Sequence, residues 1–307
     1  MMVWDRTRNR RIALGAGAAL LALAGLIGSP TAEATFPGKP GLVAFDSGGR
    51  IWTVSPTEPG SASELGVGTE PAFSPNGQLI AFVKGAAKLN VMRSDGSGER
   101  TVFSGAGGTY LYNPCFSADG KKIFFALDTG GEGYSDLYSV PLIGGSPRRL
   151  THTGGHETEV AADFPDAASN GRFVAFQRDG SVMTMRPDGS HLEPLTKGLD
   201  PSISPNSREV VVQRFEKLAI VGAGGGHERV LNLFPKKRPG ELTREASAPV
   251  FSPDGGSIVF TLRRTTDAGP HLNQSKQLEI YSLATHKIRP LTSRQVGGSN
   301  PSWQPAP

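Results

Sequence analysis

One short motif returns along this chain at nearly regular intervals, and it limits the possible folds more than any other feature. The motif has a proline, an aromatic or aliphatic residue two positions later, a Ser-Pro or similar step, an Asx-Gly pair and then an apolar run. The copy at Ala162 lacks the leading proline and has Phe164 as its aromatic residue, and the copy at Pro201 lacks the turn glycine. The copies begin at Pro71, Pro114, Ala162, Pro201, Pro249 and Pro301. Their spacing averages about 46 residues, a period typical of solenoids and propellers.

Every copy divides into four short apolar segments joined by turns. In the copy at Pro71, the first segment holds Phe73, and the pair Asn76-Gly77 accepts the positive φ of a tight hairpin turn. Leu79–Phe82 and Leu89–Met92 follow as second and third strands, and fourth strands end on pairs such as Leu150-Thr151. The 40 glycines and 24 prolines of the chain suit many strands joined by turns. Four antiparallel strands per repeat predict a propeller blade.

The two ends of the repeat region supply complementary parts of one blade. Gly41–Phe45 and Ile51–Val54 match second and third strands with no first strand before them, whereas Pro301–Pro305 matches a first strand. Pairing the two ends completes a sixth blade and removes the open edges that a linear array would leave. The predicted fold is all-β: a six-bladed β-propeller over residues 41–307, with four antiparallel strands per blade and the ring closed by N- and C-terminal strands.

The first 34 residues have the pattern of an export signal. Four arginines before residue 12 precede the uncharged, Ala- and Leu-rich stretch Ile12–Ile27, and Ala32–Ala34 offers small residues for cleavage. A basic start, an apolar centre and an A-x-A end predict a secretory signal peptide over residues 1–34. A short linker at residues 35–40 then precedes the propeller. An uncleaved anchor and export by the twin-arginine route, from Arg10-Arg11, remain alternatives.

Charge and cysteine content exclude several classes of protein. Removing the signal segment takes away four arginines and two acidic residues, which leaves the mature chain close to neutral. Such a balance gives no basic field for nucleic acid and no polybasic membrane patch. A single cysteine, Cys115, rules out an intramolecular disulfide framework, and its apolar surroundings predict a place in the core. The expected location is periplasmic, cell-envelope or extracellular, and the expected oligomeric state is a monomer.

Strand alternation predicts which face of the ring carries a site. The longer loops, among them residues 233–247 and 263–277, join second to third strands and one blade to the next. Both kinds emerge on the same face, which we call the long-loop face. Loops that vary in length are where repeat proteins bind partners. Four polar residues directly before first strands should surround the channel mouth on this face, either to hold water or to orient a ligand: Glu70, Asn113, Asp200 and Asn300. Three tyrosines are candidates for contacting a sugar ring or peptide: Tyr110, Tyr112 and Tyr134.

Two loops on that face hold weaker candidates for metal ligands. His152 and His156 have a His-x3-His spacing, which brings two imidazoles together on a helix but loses that meaning in a glycine-containing loop. Asp128, Glu132 and Asp136 surround three glycines without the order of a calcium loop. Solvated loops are the favoured interpretation of both, and no cofactor is expected. A local basic cluster could meet an acidic partner or simply be solvated: Lys236, Lys237, Arg238 and Arg244.

The repeat resembles the TolB-type propeller repeat, a relative of WD-repeat blades. Pro249–Gly255 and Pro71–Gly77 carry it best, and the resemblance covers roughly residues 38–307. It implies a periplasmic or secreted propeller that binds partners. TolB has an additional N-terminal α/β domain, for which Thr35–Pro40 leaves no room.

The motifs assemble no nucleophile or acid–base set, so the sequence favours a non-catalytic binding module for an envelope or extracellular protein or glycan. The alternative is a metal-assisted polysaccharide lyase or hydrolase, because this repeat type also occurs in oligogalacturonate lyases. A regulatory propeller of a peptidase would need a hydrolase domain, and the sequence contains no G-x-S-x-G motif.

Overall fold

A computed structural model describes residues 36–130, 134–152, 162–234, 241–267 and 272–306 of the chain. The described residues form six antiparallel sheets of four strands each, in the ring order of the repeats. Blade 1 consists of β24 (Ser299–Ala306), β1 (Lys39–Ser47), β2 (Arg50–Val54) and β3 (Ser63–Val67). Blade 2 consists of β4 (Thr69–Phe73), β5 (Leu79–Lys84), β6 (Lys88–Arg93) and β7 (Arg100–Ser104). Blade 3 consists of β8 (Tyr110–Phe116), β9 (Lys122–Asp128), β10 (Ser135–Pro141) and β11 (Arg148–Arg149).

The other three blades follow the same order from the axis outwards. Blade 4 consists of β12 (Ala162–Ala167), β13 (Val174–Arg178), β14 (Ser181–Met185) and β15 (Glu193–Lys197). Blade 5 consists of β16 (Leu199–Ile203), β17 (Glu209–Arg214), β18 (Lys217–Gly222) and β19 (Arg229–Leu231). Blade 6 consists of β20 (Glu241–Phe251), β21 (Ser257–Asp267), β22 (Leu272–Ser282) and β23 (Ile288–Pro290). Nowhere in these stretches is there a helix with the length and hydropathy that crossing a bilayer requires.

The ring closes through blade 1, which confirms the predicted architecture. β24 pairs antiparallel with β1, with Trp303 opposite Val43 and Ser302 opposite Ala44. The C-terminal strand therefore supplies the innermost strand of a blade whose other strands come from the start of the described chain. Closure leaves no blade with an unpaired inner edge.

The hydrophobic core is divided among the contacts between neighbouring blades. Six apolar clusters are present, and each combines residues from two adjacent blades. Between blades 6 and 1, for example, Leu278 and Val259 pack with Phe45 and Trp303, all of them buried. Alternate residues of the inner strands supply these clusters because side chains along a strand point to opposite faces. Each blade thus depends on both of its neighbours.

The recurring Ser-Pro-Asx-Gly step forms the turn between first and second strands. In blade 2, Ser74 Oγ accepts a hydrogen bond from the Leu79 amide and donates one to Asn76 Oδ1, and the Gly77 amide donates to the Ser74 carbonyl. The same bonds recur around Ser252 in blade 6. The serine of the motif is therefore a turn residue, and it is buried because its hydroxyl is fully used.

The alignment of blade 4 differs from the one that the sequence suggested. We placed its start at Ala162, with Phe164 as the core aromatic residue. In the structure Pro165 occupies the position of Pro71, and Ala167 the position of Phe73. Blade 4 therefore keeps the repeat's proline. Phe164 lies at the channel mouth, one residue before it.

Two spans that we predicted to be loops contain strand. Residues 233–247 and 263–277 include the outer ends of β20, β21 and β22, which continue into a hairpin beyond the other blades. Arg264 pairs with Ser275 and Thr266 with Asn273 across this hairpin. A run of threonines and long polar side chains gave no apolar alternation, yet β-branched residues suit an extended strand.

The residues before β1 cross the tight-turn end of the ring. The Gly38 amide donates to the carbonyl of Pro253, in the turn of blade 6. Phe36 is buried on the other side, in the cluster between blades 3 and 4 that includes Ala118. Residues 36–40, which the sequence suggested to be a linker, therefore lie against the propeller.

Candidate functional site

Every first strand contains a β-bulge at the residue before its proline. The ladder between first and second strand shifts by one residue there in all six blades. The residue before the proline has a φ between 46° and 54° in each case. We call these six residues the collar: Glu70, Asn113, Phe164, Asp200, Ala248 and Asn300.

The bulge has a local cause in the sequence. Proline has no amide hydrogen, so the strand ladder loses a donor at that position. A left-handed residue in front of it forms a bulge that bends the strand. Asn and Asp adopt this conformation more readily than other side chains, and they hold three of the six collar positions. The four polar residues predicted at the mouth are thus brought together, and the structure adds Phe164 and Ala248.

Hydrogen bonds at the collar join several pairs of neighbouring blades. The Glu70 amide donates to Asp46 Oδ2 of blade 1 at 2.8 Å, and the Asn113 amide donates to Glu70 Oε2 at 2.6 Å. Half a turn around the ring, the Ala248 amide donates to Asp200 Oδ2 at 2.9 Å. The side chains of Glu70 and Asp200 therefore hold neighbouring blades together, and each uses one oxygen to do so.

The second oxygens of these two carboxylates remain open to a ligand. Within the described part of the chain, Glu70 Oε1 and Asp200 Oδ1 have no hydrogen-bond partner, and neither atom is sealed from solvent. Both residues line the central cavity. Structural and ligand-orienting roles are therefore compatible in one side chain.

The collar is the entrance to a cavity of about 150 Å³ along the axis. The first-strand prolines, which include Pro71 and Pro201, form part of the cavity wall. The residue that follows each of these prolines also lines the cavity. Phe36 lines the cavity from the tight-turn end, where it is 8% exposed. At about 30 Å³ per water, the cavity holds about five water molecules. This space is comparable to one large side chain.

The acidic groups at the mouth are poorly solvated and act on one another. Burial, together with the charges of Asp46 and Asp163, raises the pKa of Glu70 to about 7, against the lowering effect of the hydrogen bond from the Asn113 amide. Burial also raises the pKa of Asp200, with contributions from Glu245 and Asp163. The cause is the loss of water around the charged form. A positive group placed here would therefore find acceptors that have little other stabilisation.

Deeper in the cavity, blade 4 contributes a carboxyl group where other blades have small residues. Asp166 lines the cavity, and burial raises its pKa to about 7 although the Ile203 amide donates to its Oδ2 at 2.6 Å. Cys115 lies at the same level in blade 3, and burial together with the charge of Asp166 raises its pKa. The predicted core position of Cys115 needs correction in one respect, because its side chain faces the cavity.

Two of the three predicted tyrosines approach the collar along one strand. Tyr110 and Tyr112 lie on β8 just before Asn113, and their rings stack with centroids 6.5 Å apart. Tyr110 is 43% exposed. Burial raises the pKa of Tyr112, as do the nearby charges of Asp128, Asp163 and Glu70. Tyr134 is half-buried just before β10.

The predicted metal ligands do not converge among the described residues. Asp136 is buried and is bound by Arg149 and by Thr151 Oγ1. Asp128 is also buried, and its Oδ1 accepts from the Gly130 amide at 2.9 Å. His152 is exposed. Glu132 and His156 lie outside the described residues. Within the described ranges, no three His, Cys, Asp or Glu side chains come together as an ion site.

The predicted basic cluster is only partly described, and its described member is not solvated. Arg244 is buried, pairs with Glu241 and lies over the ring of Phe234 at 4.9 Å from the centroid. Glu241 also contacts Arg264, which reaches Glu279. Arg244 therefore belongs to a buried ionic network in the blade 6 hairpin. The other three members, Lys236, Lys237 and Arg238, lie outside the described residues.

Sequence reasoning missed the second-strand and deeper acidic residues of the site. Asp46 accepts from the Glu70 amide and from Asn300 Nδ2, both at the collar. Asp163 accepts from Ser135 Oγ of blade 3. Aligning blade 4 backwards from its Asn170-Gly171 turn would have identified Pro165, and with it Phe164 and Asp166. No sequence pattern near Asp46 indicates its contacts with Glu70 and Asn300.

Comparison with known proteins finds similarity at the level of fold. No protein-family model matches the chain, and no curated protein matches it. TolB from Acinetobacter baumannii superposes with a TM-score of 0.62 at 18% identity, over 86% of this chain and 67% of that one. A putative TolB from Agrobacterium tumefaciens gives 0.58 at 16% identity, over 85% and 91%. Oligogalacturonate lyase from Vibrio parahaemolyticus gives 0.51 at 14% identity, over 86% and 77%.

The fold and the comparisons together define the class of this molecule. It is a closed six-bladed β-propeller with an axial cavity entered through a polar collar. More particularly, its fold is similar to that of the two TolB proteins, as the repeat resemblance predicted. The same fold carries binding proteins and enzymes, so activity must be argued from the site.

Proposed function

We propose that this protein is an exported, non-catalytic binding module that holds a protein or glycan partner on its long-loop face, over the entrance of the axial cavity. The observation that carries the proposal is the collar, where Glu70 and Asp200 each present, at the mouth of a cavity, an oxygen without a hydrogen-bond partner among the described residues. Concave sites with a few converging polar groups are where propellers and other rigid scaffolds bind ligands.

The accessible side of the cavity supports the long-loop face as the binding surface. Phe36 and the residues after it cover the tight-turn end. A partner therefore meets the cavity from the collar side, where the blade connections also emerge. Tyr110 stands exposed beside the collar and offers an aromatic contact.

The side chains at the cavity mouth suit binding better than catalysis. Its acidic groups are engaged in hydrogen bonds to backbone amides of the next blade, which fixes their positions. No nucleophile with a neighbouring base is present among them, and Cys115 has a raised pKa that disfavours its thiolate. Export rests on the basic and apolar pattern of residues 1–34.

Site-specific photocrosslinking tests the proposal directly. A benzophenone amino acid replaces Tyr110 in one protein and Ile143, on the tight-turn face, in another, and both are irradiated in an envelope and medium extract of the source organism. Ile143 is 91% exposed against 43% for Tyr110, so non-specific adducts should favour the control position. We expect a discrete adduct from position 110 alone. Adducts from position 143 alone would contradict the proposal.

Metal analysis separates binding from the lyase or hydrolase alternative. The purified protein is dialysed and its metal content measured together with activity on a panel of polysaccharides. A stoichiometric metal that is needed for cleavage would replace the binding proposal with the enzymatic one. Binding predicts partner adducts that survive treatment with a chelator.

A further inference from the structure

We infer that the partner is a polypeptide that inserts a positively charged side chain, lysine or arginine, through the collar while its flanking apolar residues rest on the surrounding rim. This inference rests on the proposed function and specifies the occupant of the same site. It follows from three features of the described residues: where exposed apolar side chains lie, what charge the mouth carries, and how large the cavity is.

Several of the large apolar side chains that are exposed among the described residues lie on the long-loop face. Val67, Tyr110 and Leu199 are 53%, 43% and 38% exposed, and each lies within three residues of a collar position. Phe215 is 94% exposed, in the turn between β17 and β18 on the same face. Exposed apolar side chains gain free energy when another protein surface covers them. We call these four residues the rim.

Phe215 is an unusual residue for the turn that it occupies. Its φ is +52°, a conformation that is strained for a bulky side chain. The corresponding turns of blades 1 and 4 have Gly48-Gly49 and Asp179-Gly180, residues that accept positive φ. A side chain that adds strain and buries almost nothing in the free protein has a reason to be there only when another surface covers it.

The centre of the mouth is negatively charged. For Glu70, Asp163 and Asp200, the neighbouring charges that shift their pKa values are all carboxylates. Lys276 is the basic group that acts on Asp46. An ammonium or guanidinium group between these carboxylates would relieve their mutual repulsion. It would also stabilise their ionised form, which burial disfavours in the free protein. An acidic or neutral ligand group would gain neither effect.

The dimensions fit a single side chain. The cavity of about 150 Å³ has room for one large side chain, and its lining includes the first-strand prolines, against which the methylene stem of a lysine or arginine can pack. Rim contacts to flanking apolar residues then account for Tyr110 and Phe215 together.

A set of short peptides tests the inference with defined probes. Acetyl-Gly-Phe-Lys-Phe-Gly-amide is titrated into the protein by calorimetry, beside analogues with norleucine or glutamate at the centre. Norleucine keeps the stem and removes the charge. We expect the lysine peptide to bind at least tenfold more tightly than the norleucine peptide. Equal affinities would overturn the inference.

Matched variants locate the contact. Glu70→Gln with Asp200→Asn keeps oxygens that accept the Asn113 and Ala248 amides but removes both charges, and we expect lysine-peptide affinity to fall to that of the norleucine peptide. Phe215→Gly should weaken both peptides severalfold without lowering Tm, because glycine relaxes the turn. Ile143→Ala on the opposite face should change neither. Two results would overturn the assignment: loss of peptide binding in Ile143→Ala, or unchanged lysine-peptide affinity in the Glu70→Gln, Asp200→Asn variant.

Failure of this inference can be told apart from failure of the proposed function. Suppose that the peptides do not bind, but either chitosan oligosaccharides bind or position 110 still yields a partner adduct. In that case the inferred occupant is wrong, and the proposed binding function stands. If adducts form only at position 143, the proposed function itself fails.

Discussion

Residues in front of the six first-strand prolines share one backbone conformation although their side chains differ. Asn113 and Asp200 suit a positive φ, whereas Phe164 and Ala248 have no side-chain reason to adopt it. The common cause is therefore the bulge and its proline. The conformation turns the collar amides towards the preceding blade, where Asp46, Glu70 or Asp200 can accept them.

Asp166 gives a residue-level prediction about pH. Burial raises its pKa to about 7 in the folded state, against about 3.8 when it is exposed on unfolding. A raised carboxyl pKa contributes stability that is complete below pH 3.8 and is lost as the pH rises through 7. We therefore expect the free energy of unfolding of the wild type to fall, relative to Asp166→Asn, between pH 5 and pH 8.

Denaturant unfolding of both proteins at several pH values measures this difference. Asparagine keeps an oxygen that accepts the Ile203 amide, so the comparison isolates the charge. Asp95→Asn is the control, because Asp95 is exposed and its pKa is lowered by hydrogen bonds from Ser97. The control difference should not change over the same range. A wild-type advantage that grows with pH would show that Asp166 carries its charge at little cost.

At the scale of elements, the turns between first and second strands look alike but have different surroundings. Gly77 and Gly171 have φ values of +66° and +65°. A Cβ on Gly77 would lie 2.3 Å from the carbonyl oxygen of Pro305 in β24, whereas on Gly171 it would meet only the Ala118 Cβ at 3.7 Å. The turn of blade 2 is thus pressed against the closing strand.

Alanine at these two glycines should have unequal effects. Gly171→Ala carries only the backbone strain of about 1 kcal/mol. Gly77→Ala should cost about 2–4 kcal/mol, because β24 or the turn must also move. Chemical denaturation of the two variants gives the comparison. Equal losses would mean that β24 does not contact this turn as described.

The hairpin beyond blade 6 depends on buried charges. Glu241 is buried and contacts both Arg244 and Arg264. Removing one partner of a buried ionic network typically costs about 3–5 kcal/mol, because the remaining charges lose their compensation. We expect Glu241→Ala to open this hairpin locally.

Amide hydrogen exchange followed by mass spectrometry measures that opening. Protection should fall in residues 243–247 and 261–266, while β16 and β17 of blade 5 keep theirs. Glu64→Ala is the control, since Glu64 pairs with Arg50 at an exposed site where such pairs contribute little. Unchanged protection in the Glu241 variant would show that strand pairing alone holds the hairpin.

At the scale of the whole molecule, closure joins six equivalent interfaces into one cooperative unit. Every apolar cluster spans two blades, so no blade has a core of its own. Trp303 on β24 is 6% exposed and packs with Phe45 and Leu278 at the last of these interfaces. Loss of β24 would leave β1 as an open edge and expose that interface.

Closure predicts large effects from small changes at the C-terminus. Trp303→Ala should destabilise by about 3–5 kcal/mol, the usual cost of removing a large buried aromatic side chain. Deleting Ser299–Pro307 should lower Tm much further. Trp303→Phe, which keeps most of the apolar volume, is the milder control. A deletion protein that melts no earlier than the intact one would contradict closure through β24.

The sequence alone determined the number of blades, most of their strands, the tight turns and the closure, because each follows from a local repeat of apolar alternation, proline and Asx-Gly turns. It also located Glu70, Asn113, Asp200 and Asn300 at the channel mouth, since their place in the repeat is the same. Only the tertiary structure decided what these side chains touch. The pairs Asp46–Asn300 and Glu70–Asn113 join residues 254 and 43 positions apart, and Phe36 reaches the cavity across the ring. Such contacts depend on how blades rotate against one another, and a repeat period carries no information about that rotation.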